Sequence, residues 1–138
     1  HASYFIVTKE DMHRFHFIKG DLEGVVNSPL QIKGLKLGIS LREDTERHNL
    51  VLVSLRSSNG FHCQPMAVQF FNGGGHADAS GGKLHCSIEE AEQITLKAIL
   101  IPRRTKTKIK ELKYNTKKIV NHLLYPDKSL TFADDLKT

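Results

Sequence analysis

The chain has 138 residues, 39% of them hydrophobic and 25% charged, with a net charge of +5. That length and balance suit one ordinary globular domain with a modest core. Two cysteines, Cys63 and Cys86, exclude a disulfide framework, and no apolar run approaches the length of a membrane-spanning helix. With no signal-peptide pattern at the start, a reducing, cytoplasmic setting and no membrane partner are expected. Each cysteine follows a histidine, but neither His62-Cys63 nor His85-Cys86 has zinc-site spacing, so two ordinary thiols and no metal are expected in this chain. The charge is uneven. Residues 1–102 hold 10 Lys and Arg against 11 Asp and Glu, whereas residues 103–138 hold 10 against 4. The basic excess therefore belongs to the tail, and the overall charge says little about what the first 102 residues bind.

His1-Ala2-Ser3 lacks an initiator methionine, which suggests a fragment with more chain upstream. Tyr4-Phe5-Ile6-Val7-Thr8 is rich in aromatic and β-branched residues and predicts a strand. Thr8-Lys9-Glu10-Asp11 can then cap a brief helix. A second helix is expected from Asp21 as N-cap, with Leu22, Val25 and Val26 on its apolar face and Pro29 stopping it by Ser28. Gly24 within it implies close packing of another backbone. Leu35, Leu37, Ile39 and Leu41 alternate with polar or small residues, a half-buried strand, and the mostly apolar run from Leu50 through Ser58 predicts a second, more deeply buried one. The segments 35–42 and 48–57 read as an antiparallel hairpin. Its second strand ends in Arg56-Ser57-Ser58, where a guanidinium and hydroxyls can grip a phosphate, or where Arg56 is simply a surface residue.

After the Asn59-Gly60 turn, Pro65 suits the first turn of a helix over 63–71 with Met66, Ala67 and Phe70 facing in. The run Asn72-Gly73-Gly74-Gly75-His76-Ala77-Asp78-Ala79-Ser80-Gly81-Gly82 follows. Consecutive glycines let the backbone come close to a ligand and present N–H groups to an anion. A helical turn starting at His76 would add free N–H groups, and His76 itself can donate to a phosphate oxygen. The plain alternative is a helix C-cap and turn. Lys83-Leu84-His85-Cys86 is expected as a strand. Ser87-Ile88-Glu89-Glu90 then forms a capping box for a helix through Ile101, whose acidic first turn complements the helix dipole. Ile109, Leu112, Ile119, Val120, Leu123 and Leu124 have helical spacing with a lysine-rich opposite face, which is a solvated face or, less simply, a nucleic-acid contact.

Gly-Gly-Gly-His-x-x-Ala-Ser-Gly, as Gly73 to Gly81, resembles the motif of the DHH-associated domain, the C-terminal lobe of DHH-family phosphoesterases. Asp21, Glu23, Gly24, Val26 and Asn27 match the Asp-x-Glu-Gly-x-Val-Asn stretch of the nanoRNase and pAp-phosphatase type, and Arg56-Ser57 matches its substrate-binding strand end. Glu23 and Asn27 are then either helix surface and C-cap or part of an interdomain cleft. The resemblance covers residues near 18 to 101. It departs from the family where Ala77-Asp78 replaces the frequent Lys-Asn, putting an acid where a base is usual.

The element pattern and the resemblance together lead us to expect an α+β domain, a small central sheet with helices packed on it, over residues 1–102. Past Pro102 the resemblance ends, and the helical spacing there predicts a basic helical extension over 103–138 with a loose end. The resemblance implies phosphate binding by Arg56, Ser57, Gly73, Gly74, Gly75, His76, Ser80 and Gly81. The family hydrolyses phosphate esters with two metal ions, usually Mn²⁺ or else Mg²⁺, held by a separate Asp-His-His lobe, and such a centre can activate water and hold the reacting oxygens. This sequence has no Asp-His-His triplet. The chain is accordingly expected to bind a nucleotide or short single-stranded RNA beside an N-terminal DHH lobe, with no catalytic residue of its own, and a homodimer is among its expected partners. Oligoribonucleotides or nucleotide phosphates such as pAp are the leading substrates. The alternatives are a nucleic-acid module similar to the C-terminal domain of alanyl-tRNA synthetases, or a lobe of a cyclic-dinucleotide or polyphosphate hydrolase of the exopolyphosphatase-related kind.

Overall fold

In a computed structural model, residues 2–100 are described; His1 and the segment 101–138, including the expected basic extension, lie outside the described residues. Five strands form one mixed sheet: β1 (Ala2–Val7), β2 (Leu37–Glu43), β3 (Val51–Ser57), β4 (Gly74–His76) and β5 (Ala79–Leu84). Their spatial order is β1-β2-β3-β5-β4. β1 runs parallel to β2, and every other pairing is antiparallel. Helices α1 (Lys9–Arg14), α2 (Gln64–Phe70) and α3 (Ile88–Leu100) and a 3-10 segment, Val25–Gln31, complete the domain. This is the α+β class that the sequence suggests.

Alternation along the strands sorts the side chains onto two faces. Leu37, Ile39 and Leu41 of β2 and Val51, Val53 and Leu55 of β3 are buried against Cys63, Met66, Ala67 and Phe71 around α2 and Ala91 and Ala98 of α3. α2 and α3 therefore share one face of the sheet, as expected of helices over 63–71 and 87–101. α3 starts on the expected box: Ser87 N–H donates to Glu90 Oε2 at 3.0 Å, and Glu90 N–H to Ser87 Oγ at 3.2 Å. Its buried Thr95 spends its hydroxyl on Ala91 O at 2.9 Å. Parallel pairing of β1 and β2 requires a crossover, and α1 and the 3-10 segment supply it. They pack Met12 and Val26 on Phe5 and Val7, on the other face. Thr8 caps α1 in a reciprocal box with Asp11.

The chain departs from the sequence reading in two places. No α-helix forms from Asp21. Residues 18–27 run in tight i→i+3 turns, with Glu23 N–H on Gly20 O at 2.8 Å and Asn27 N–H on Gly24 O at 2.9 Å. Asp21 turns back to accept from Ile18 N–H at 2.8 Å. Pro29 sits inside the 3-10 segment and is buried, because its fixed φ suits that geometry and its missing N–H costs little in so short a run. Gly24 holds φ 85 with nothing near the place of a Cβ, so it serves conformation and not close packing.

The second departure concerns the glycine run. No helical turn starts at His76. Gly74–His76 is an edge strand, Ala77-Asp78 turns the chain, and Ala79–Leu84 returns between β4 and β3. The segment expected as a strand at 83–86 begins four residues earlier, and its glycine-rich half lies inside the sheet. A Cβ on Gly73 would strike the Gly81 carbonyl, and one on Gly82 would strike Phe71 O. These two glycines let the end of α2 settle directly onto β5, whose Lys83 N–H donates to Phe71 O at 2.8 Å.

Candidate phosphate-binding face

The face of the sheet opposite α2 and α3 is only partly covered. Over β2, Val26 O and Pro29 of the 3-10 segment close on Gly38, where an added Cβ would lie 2.8 Å from that carbonyl. The segment also reaches β3, and from there toward β4 its cover ends: Arg56, Ala79, Gly81 and Gly74 are partly exposed and His76 is exposed. The registers align Gly38, Arg56, Ala79 and His76 in one row across β2, β3, β5 and β4. The neighbouring row is Ser40, Ser54, Gly81 and Gly74. Arg56 and His76 are thus two strands apart, about 10 Å between backbones. Between them stands only the methyl group of Ala79.

Arg56 is half-buried, and its Nη1 donates to Leu55 O at 2.8 Å along its own strand. That bond uses one of five guanidinium N–H donors and anchors the group over the sheet. His76 is exposed on the edge strand. Gly74 has open space where a Cβ would stand, unlike Gly73 and Gly75, so nothing in the fold itself requires a glycine there. The open row and its neighbour contain no carboxylate. A cation on one side, an imidazole on the other and bare backbone between them suit a phosphate group.

Of the remaining expected site residues, Ser57, Ser80, Gly73 and Gly75 lie off this face. Ser57 follows Arg56 and so points to the opposite face. It is buried, with its N–H on Asp78 O at 3.0 Å and no partner for Oγ among the described residues. Ser80, paired with Leu55, faces the same way and donates from Oγ to His76 O at 2.7 Å. It fixes the carbonyl of the residue whose ring stands at the open face. Gly73 and Gly75 are held against β5, Gly75 at φ 136. Gly81 and Gly74 share the face of Arg56 and His76. Glu23 and Asn27 are exposed.

Sequence reasoning did not single out Ala79 or Ser54, because their place is visible only once the strand registers are known. It also missed the partner of Asp78, the acid that departs from the family pattern. Asp78 Oδ1 lies 3.1 Å from His62 Nδ1, and both side chains are 61% exposed. The turn is also docked through Ala77 O, which accepts from Cys63 N–H at 2.8 Å. Asp78 is thus turned toward the start of α2 and occupied there. Burial and the nearby Glu90 hold the Cys86 thiol above its usual pKa, which keeps it neutral. Among the described residues no three His, Cys, Asp or Glu side chains come together to hold a metal ion, and no helix is long and apolar enough to cross a membrane.

Residues 3–100 match the family model of the DHHA1 domain. The chain belongs to the DHHA1 domain family. Among solved structures, this DHHA1 domain is similar to an exopolyphosphatase-related protein from Bacteroides fragilis, with 45% identity and a TM-score of 0.67 over 71% of this chain and 28% of that one. The chain therefore spans 28% of the length of that protein. It is also similar to an uncharacterized protein from Helicobacter pylori (20% identity, TM-score 0.45, 69% of this chain and 25% of that one). A third similarity is to the C-Ala domain of alanyl-tRNA synthetase from Aquifex aeolicus (11% identity, TM-score 0.49, 72% of this chain and 88% of that one). No curated protein matches the sequence.

Proposed function

We propose that this DHHA1 domain is the substrate-binding lobe of a DHH-family phosphoesterase acting on short oligoribonucleotides or nucleotide phosphates. The observation that carries the reading is the shared row of Arg56 and His76 across a floor of Ala79 and glycine. Arg56 supplies charge and a forked donor, His76 a directional donor, and Gly74 room for a ligand to reach the backbone. The kinship with an exopolyphosphatase-related protein supports an anionic phosphate substrate without choosing among phosphate esters. The Mn²⁺ or Mg²⁺ pair implied by the family does not fit the donors brought together in the described residues, so metal chemistry is assigned to a separate DHH lobe. This chain's part is to hold and orient the substrate.

The test is calorimetric or fluorescence binding of a 5′-phosphorylated dinucleotide. Arg56→Ala and His76→Ala should each weaken binding about ten- to hundred-fold, the loss of a charge-assisted hydrogen bond of roughly 1.5–3 kcal/mol. Unchanged affinity in both variants places the site elsewhere.

A further inference from the structure

Resting on that reading, we infer that the open face carries a second anion anchor at Lys83, and that together with Arg56 it measures the length of a single-stranded oligonucleotide. β3 and β5 are the central pair of the open face, and their register continues past the two rows already described. The third row is Arg42, Leu52 and Lys83. It lies four residues along the strands from the Arg56 row, about 13 Å at the usual rise. Alternation puts all three side chains on the same face as Arg56 and His76.

The order of chemistry along that face is cationic, neutral, cationic. The middle row is Ser40, Ser54, Gly81 and Gly74, hydroxyls and bare backbone. No Asp or Glu occurs in any of the three rows. The two cations of the third row are not equivalent. The Arg42 guanidinium lies 5.5 Å from the centre of the Phe17 ring and acts on the nearby Asp44 carboxylate, so part of its charge is already answered. Lys83 is exposed and its ammonium has no hydrogen bond or ion pair among the described residues. Its backbone is pinned by the bond to Phe71 O, so its position is set by the sheet and not by a loop.

This spacing selects between two anionic polymers. In polyphosphate, neighbouring phosphates share a bridging oxygen, so a chain crossing from Arg56 to Lys83 would lay charge continuously over the uncharged middle row. In an oligonucleotide an uncharged sugar separates successive phosphates, and the half-buried Leu52 beside Lys83 offers apolar surface to a sugar or base. An oligonucleotide lays fewer charges along the same span than polyphosphate does, which suits a face with cations only in its outer rows, and the hydroxyls of Ser40 and Ser54 stand where a phosphate between the two anchors would lie.

The experiment uses the full chain and three fluorescent probes: a 5′-phosphorylated mononucleotide, the trinucleotide and inorganic polyphosphate. Binding is measured for wild type, Lys83→Gln and Arg56→Ala across a salt series. Lys83→Gln should weaken the trinucleotide about tenfold and the mononucleotide less than about twofold, and should lower the trinucleotide salt slope by about 0.7. Arg56→Ala should weaken both nucleotide probes. If Lys83→Gln binds all lengths as wild type does while Arg56→Ala fails on both, the second anchor is refuted and the first site stands. Equal losses on mononucleotide and trinucleotide in Lys83→Gln also overturn the length reading, since a diffuse field would then explain them. Polyphosphate that binds as tightly as the trinucleotide, and is weakened as much by Lys83→Gln, overturns the choice of an oligonucleotide. If Arg56→Ala leaves every probe unaffected, the underlying site is wrong and the inference falls with it.

Discussion

The two faces of the sheet are made from the same strands but with opposite chemistry. In β3, Val51, Val53 and Leu55 are at most 3% exposed beneath α2 and α3, while the alternate residues Leu52, Ser54 and Arg56 are all partly exposed on the other side. The first face is filled with apolar side chains, and the second, outside the cluster that α1 and the 3-10 segment cover by β1, carries hydroxyls, glycines and cations beside Leu52 and Ala79. A strand with one face in the core fixes its register firmly, because a slip of one residue would expose the whole apolar set. The helix-covered face thus determines where the side chains on the open face stand. The core and the proposed binding row are separated by one residue along β3.

That separation makes a sharp contrast between neighbours. Leu55→Ala should cost about 2–5 kcal/mol, since Leu55 is fully buried at the centre of the helix-covered core. Ser54→Ala, on the open side, should stay within about 0.5 kcal/mol of wild type. Urea unfolding of the two variants checks both values. Equal destabilisation would mean that the open face is in fact packed.

The glycines divide along the same line. Gly82→Ala drives a Cβ into the backbone of Phe71, and neither element can yield without parting α2 from β5. A loss of about 1–3 kcal/mol is expected, as for overpacking. Gly74→Ala meets nothing and should leave the melting temperature nearly unchanged, yet it should weaken phosphate binding by obstructing the approach to the backbone. Thermal unfolding and dinucleotide binding, measured side by side, separate the two. A Gly74→Ala variant with normal binding would show that the ligand does not come to β4.

Much of this arrangement was legible in the residues. The alternation of 35–41, the apolar run after Leu50 and the Ser87 box gave the hairpin and α3, because each pattern reports local burial or a local cap. No α-helix forms from Asp21 because its apolar spacing also suits a chain of 3-10 turns, and Gly24 admits the left-handed backbone that breaks a helix. β5 was harder to see: Ala79-Ser80-Gly81-Gly82 has almost no strand propensity, and its place depends on Phe71 and β3, far away in sequence. For the candidate site, Arg56 and the glycine run stood out by type. That Arg56 and Ser57 turn to opposite faces follows from strand alternation alone, once residue 57 is known to be still in the strand. The row joining Arg56 to His76 could not be read without the pairing.

Smaller effects belong to positions outside both faces. Thr8 caps α1, accepting from Asp11 N–H at 3.1 Å. Thr8→Ala should cost about 1 kcal/mol in unfolding measurements and leave phosphate binding unchanged, since α1 packs by β1 at the far side of the sheet from β4. A loss of binding in this variant would couple the two ends of the sheet.

The smallest effect is expected at Asp44, on the turn that joins β2 to β3. Its Oδ1 accepts the backbone N–H of Arg47 at 2.8 Å and of Glu46 at 3.0 Å. The Arg47 bond is the main cause holding the carboxyl below its ordinary pKa of 3.8, and the Glu46 bond and the charges of Arg47 and Arg42 act the same way against the cost of burial. A pKa that is depressed in the folded state gives stability that is present above the unfolded value and is lost as the pH falls through the folded one. Wild type should therefore lose more stability than Asp44→Asn as the pH is lowered through and below 3.8, while the two respond alike to pH changes near neutrality. Because the carboxyl lies at the surface, where solvent screens it, the difference should be small, and it is read most directly from the carboxyl chemical shift of Asp44 in an NMR titration. A midpoint at or above the ordinary aspartate value would show that the turn is not held by these bonds, and the register of β2 on β3 would then rest on the buried face alone.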